Sequence, residues 1–88
     1  MDFTKYNNTK PYTTDPEGHE KFLEEERRLQ GLFRQDVIWE TGLQGHPKAG
    51  EAFRFARKCT IRSNIRGKTK KQEALFEYLT EIAELLKA

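Results

Sequence analysis

The stretch QEALFEYLTEIAELLK, residues 72 to 87, leaves this chain little freedom in how it folds. At 100° per residue it gathers Leu75, Tyr78, Leu79, Ile82 and Leu86 on one side and Glu73, Glu77, Glu81 and Glu84 on the other, a separation that a helix makes and a strand does not. The apolar side must be covered by the rest of the chain. Just upstream, Thr69 and Gln72 make a T-x-x-Q pattern, so a capping box is expected at the start of this helix.

The cover is expected from two more helices. DPEG at 15 to 18 reads as a helix start, with Asp15 accepting N-terminal N–H groups and Pro16 at the first helical position, where its missing donor costs nothing. That helix should run to about Thr41, with Gly42 as its left-handed stop. Phe22, Leu29, Phe33 and Val37 form its stripe, widened by Leu32 and Trp39. Gly31 inside it implies either a close helix crossing or a bend. A further helix should open in GHPKAG, with His46 as cap and Pro47 at its first position; Ala49, Ala52, Phe53, Ala56 and Cys59 recur on one face. Residues 63 to 67, SNIRG, make the connection to the last helix.

Helices of about 26, 14 and 18 residues predict an all-α fold, a small three-helix bundle in which the first helix packs across a hairpin of the other two. No β alternation competes with that reading. Residues 1–14, with Phe3, Tyr6, Pro11 and Tyr12 among Asn and Thr, form an extended or flexible N-terminal arm whose aromatics either stay loose or dock; residues 15–88 are the helical domain. A chain of 88 residues buries only roughly 60–65% of its extended surface, so the core must be small, but ten aromatics argue against disorder throughout.

Charge is the most uneven feature. Residues 54 to 71 carry Arg54, Arg57, Lys58, Arg62, Arg66, Lys68, Lys70 and Lys71 and no acid. Residues 15 to 40 hold eight acids against four basic residues, so the formal net charge of +2 hides a strongly polar molecule. The basic segment should form one end of the hairpin. It admits three readings: a solvated loop or one paired with acids of its own fold, a phosphate-binding surface for nucleic acid, or a docking site for an acidic protein. Glu residues on the outer face of the last helix disfavour a duplex; nucleic acid at this end would be held through its backbone with little base readout.

Candidate chemistry is thin. Asp36 and Glu40 fall within the apolar stripe beside Trp39, and with His46 they make a D-x-x-x-E…H set that lacks the second His of a metal-binding repeat; pairing of these acids with hairpin cations is the expectation. His19 lies in a polar first turn and should be exposed. No Ser/His/Asp arrangement, Gly-rich phosphate loop or CxxC is present, so neither catalysis nor a cofactor or metal is expected. Cys59 is alone, which excludes an internal disulfide, and its place on the Ala face marks it as a small core residue. No signal-peptide pattern and no run of roughly 20 apolar residues occurs, so a soluble cytoplasmic protein with no membrane contact is expected. Ile38 points away from the stripe of the first helix and Phe55 lies toward the edge of the Ala face; with Trp39 they either are wrapped into the core of so small a body or anchor a partner, and Trp39 and Ile38 could join two copies through the first helix.

The stretch GLQGHPKAGEAFRFA, followed after the connection by EALFEYLTEIAELL, resembles the C-terminal helical hairpin of small bacteriophage-encoded proteins of unassigned role. In these a G-HPKA start opens one helix and a Y-x-x-E-L-A-E-L-type ending closes the next. The resemblance covers roughly half the chain, and the Arg- and Lys-rich connection departs from the Gly/His/Ser-type turn of that pattern. What it implies is a small accessory protein of a bacterial cytoplasm. The expectation is a non-catalytic module whose basic end meets an acidic surface of a host or viral enzyme, with a sequence-tolerant nucleic-acid binder as the alternative.

Overall fold

A computed structural model describes all 88 residues. Three α-helices, α1 (Pro16–Glu40), α2 (Ala49–Arg62) and α3 (Lys68–Lys87), follow a single 3-10 turn at Thr4–Tyr6, and there is no strand. The all-α three-helix bundle expected from the periodicity is what forms. None of the helices is long and apolar enough to cross a membrane.

The ends of α1 follow from local chemistry. The Asp15 carboxylate accepts the Gly18 N–H at 3.2 Å and Pro16 opens the helix. At the other end Gly42 takes φ +74°, its N–H reaches the Trp39 carbonyl, and the Leu43 N–H reaches that of Ile38, each at 3.0 Å. This is a Schellman stop. It turns Leu43 into the core, where it is fully buried. Lys87 then donates to the Thr41 carbonyl at 2.6 Å, joining the C-terminal ends of α1 and α3.

The other two starts differ from expectation. α2 begins at Ala49, not Pro47. Pro47 sits in a preceding turn, and His46 Nδ1 accepts the Lys48 N–H at 3.0 Å, so the imidazole satisfies a donor ahead of the helix. α3 begins at Lys68 behind Gly67, whose φ of +99° lets the chain turn two residues earlier than Thr69 would have allowed. Thr69 is therefore inside the helix and the capping box does not form. Gln72 faces inward instead, 9% exposed.

Small residues decide the packing. Ala52 and Ala56 are buried on the inner face of α2, so α3 approaches closely with Leu75, Leu79 and Ala83. Thr60 extends that face, its hydroxyl donating back to the Ala56 carbonyl at 2.9 Å. α1 lays Phe33 and Val37 across this hairpin and adds Leu29, which is also buried. Phe22, expected in the same stripe, is only half-buried and meets Tyr12 edge-on at 5.2 Å.

The N-terminal segment supplies core. Tyr6 is 1% exposed, with its ring edge-on to Phe33 at 5.1 Å, and Phe3 packs against Phe33 and Phe76. Asn8 donates to the Phe22 carbonyl at 3.2 Å, so the segment runs on along α1. Gly31, in contrast, meets neither a close crossing nor any other neighbour: a Cβ built there finds nothing within 4 Å. A glycine in a helix interior costs about 1 kcal/mol relative to alanine, and no packing contact in this fold requires one at position 31.

Candidate partner-binding site

All eight cations of the 54–71 segment are exposed. Ion pairs form at Lys5–Asp36, Lys21–Glu17, Arg28–Glu25 and Lys68–Glu26. Arg54, Arg57, Lys58, Arg62, Arg66, Lys70 and Lys71 thus have no acid partner, and pairing within the fold accounts for Lys68 alone. Lys68 Nζ lies 3.5 Å from Glu26 and the same distance from the Tyr6 carbonyl.

The acids expected to serve the hairpin are engaged elsewhere or left free. Asp36 accepts the Tyr6 hydroxyl at 2.5 Å and pairs with Lys5 at 3.0 Å, both from the N-terminal segment. The Tyr6 hydrogen bond, seconded by Lys5, holds the Asp36 carboxyl below the usual carboxylate range. Burial, and then the adjacent carboxylate, push the Tyr6 phenol well above its ordinary value. Asp36 is therefore a structural acceptor. Glu40 makes no ion pair.

Helix geometry divides the basic segment into two faces. On α2, Lys58 and Arg62 share a side with Phe55, which is 59% exposed, while Arg57 lies on a second side with Phe53, Thr60 and Ile61, and Arg54 falls between the two. On α3, Lys68 and Lys71 turn toward that second side. Of the expected apolar anchors, Ile38 is packed against the core and not free. Trp39 is 62% exposed, but the Lys87–Thr41 bond puts its end of α1 beside the C-terminus of α3, away from the basic end. Phe55 alone stands among the cations.

Between the three helices lies a groove of about 520 Å³. Its rim is Arg27 and Arg34 of α1, Arg57 of α2, and Lys68 and Lys71 of α3; its floor includes Phe33, Phe53, Leu75 and Gln72, with Gly31 at the lip. No acid lines it. Arg34 lies over the Phe53 ring, 5.5 Å from its centroid. A smaller recess of about 260 Å³ shares Thr60, Ile61 and Lys71 and continues toward Asn64 and Ile65 in the connection. Arg27, Arg34 and Gln72 were not among the residues singled out from the sequence, because the two arginines belong to a helix dominated by acids and Gln72 was assigned to a cap.

The first turn of α3 carries Lys68, Lys70 and Lys71 and no acid. A helix N-terminus has the positive end of the backbone dipole, and each misplaced exposed cation there costs up to about 0.3–1 kcal/mol. This end is electrostatically suited to an anion and not to its own side chains. A search of protein-family models, curated proteins and solved structures finds no match to this chain.

Proposed function

We propose that this protein is a non-catalytic helical interaction module that docks an acidic protein surface through the basic end of the α2–α3 hairpin. The observation that supports the reading is the set of seven exposed cations without acid partners beside an apolar-floored groove. Unpaired cations set association rate and orientation, and desolvated apolar contacts hold the complex. In keeping with the hairpin resemblance, the module would be a phage-type accessory factor acting on a host or viral enzyme in the bacterial cytoplasm.

Nucleic acid is the second reading, because seven free cations equally suit a phosphate backbone. Against it, Glu73, Glu77, Glu81 and Glu84 are exposed along the same α3 and would repel a duplex laid on that helix. A tagged pull-down from bacterial lysate, with and without nuclease, separates the two. The expected result is a discrete protein retained after nuclease and lost when Arg62, Arg66 and Lys70 are changed to Glu with helical circular dichroism intact. Loss of every partner on nuclease treatment would remove the proposal.

A further inference from the structure

We infer that the groove between α1 and the hairpin seats one large apolar side chain of an acidic peptide segment belonging to that partner. The inference rests on the reading of the basic end as a docking surface for an acidic protein, and it names what enters the surface and where.

Charge is the first ground. Five cations from three helices, Arg27, Arg34, Arg57, Lys68 and Lys71, ring the groove, no carboxylate lines it, and only Lys68 has an acid partner. Carboxylates flanking an inserted side chain would meet this ring, and arginine guanidinium planes also stack on an aromatic ring entering between them. The floor is the second ground. Phe33, Phe53 and Leu75 present apolar surface, and Gly31 leaves the lip open where any other residue would project a side chain. The volume of about 520 Å³ falls in the range of ligand-binding clefts.

The floor selects the class of occupant. Gln72 lies in it, 9% exposed, with Phe33, Phe53 and Leu75. A peptide brings an apolar side chain for this surface as well as carboxylates for the cations around it. A phosphodiester backbone brings only the charge.

The test uses a defined probe: a fluorescein-labelled peptide of about ten residues, Glu and Asp throughout except for a central Phe-Leu pair, titrated into the full chain. Wild-type protein is expected to bind it, with amide NMR shifts concentrated at Gly31, Phe53, Thr60 and Gln72. Gly31→Leu obstructs the lip of the groove without removing a charge. It should weaken binding at least tenfold while the melting temperature holds or rises. Replacing the peptide's Phe-Leu pair with Ala-Ala should give a similar loss and does not depend on how any protein variant folds.

Equal binding of the Ala-Ala peptide, with shifts confined to residues 63–67, would overturn the groove assignment and leave the acidic-surface reading intact. Failure of the Phe-Leu peptide to bind at about 1 mM would also overturn the groove assignment, whereas failure of the nuclease-split pull-down would overturn the broader reading. Tighter binding of oligo-dT than of the peptide would reassign the groove to nucleic acid. Salt-sensitive self-association abolished by Gly31→Leu would place a second copy of this chain there instead.

Discussion

Tyr6→Phe isolates one hydrogen bond with little disturbance of packing. The ring is 1% exposed and stays against Phe33; only the hydroxyl that donates to Asp36 at 2.5 Å is lost. A hydrogen bond to a charged acceptor contributes about 1.5–3 kcal/mol net. Asp36 is 26% exposed and keeps Lys5, so water and the ammonium replace part of the loss and the lower end applies. About 1.5 kcal/mol corresponds to a fall in Tm of roughly 6–12 °C for a domain of this size. The pH dependence is more telling. Because the folded Asp36 pKa is depressed, its contribution is present above the unfolded value, about 3.9, and is lost as pH falls through the lower folded value. Because the folded Tyr6 pKa is raised, its contribution is present below the unfolded value, about 10, and is lost as pH climbs above it. Thermal unfolding followed by circular dichroism at pH 3, 7 and 10.5 should therefore show the wild-type advantage over Tyr6→Phe to be largest at pH 7 and smaller at both extremes. A deficit below about 2 °C at pH 7, or one independent of pH, would refute the reasoning.

Three other substitutions probe separate features. Gly42→Ala forces a left-handed backbone on alanine and drives its Cβ into the Lys87 ammonium, so the Lys87–Thr41 bond is lost as well; urea unfolding should show a loss of about 2 kcal/mol. Leu79→Ala empties a fully buried position where α1 meets the hairpin, and the same assay should show a loss of about 2–5 kcal/mol. Lys70→Glu puts an acid in the first turn of α3 and should stabilise the fold by about 0.3–1 kcal/mol while weakening partner binding. A gain in Tm together with unchanged affinity would detach Lys70 from the interface.

What the sequence showed plainly was local. The period of residues 72–87, Asp15 with Pro16, and Gly42 each act through neighbours within a turn or two, and each is where the fold uses it. Two starts were misplaced because caps compete: Gly67 can adopt a positive φ, so α3 begins at Lys68 before Thr69 can cap it, and His46 serves the Lys48 N–H from outside α2. Asp36 looked misplaced in an apolar stripe, and its partner was beyond local reach because Tyr6 lies 30 residues earlier, among polar residues that also suit a loose tail. The basic segment was visible as a run, but the junction of Arg57, Lys68 and Lys71 with Arg27 and Arg34 exists only after three helices meet. Gly31 suggested a close crossing or a bend; there is no crossing, and a Cβ built there meets open space.

The docking of Phe3 and Tyr6 also sets an order of events during synthesis. Their seat includes Phe33 of α1, but also Phe76 and Lys68 of α3, and the Lys68 contact spans 62 residues of chain. A nascent chain leaves these two aromatics only partly covered, against Phe33, until Phe76 of α3 has been translated. The α2–α3 hairpin can close on local contacts soon after its own residues emerge, whereas the N-terminal segment must wait for it. The cover over these two aromatics is then completed late, and a product broken off before α3 keeps Phe33 beneath them but lacks the Phe76 ring that packs on Phe3.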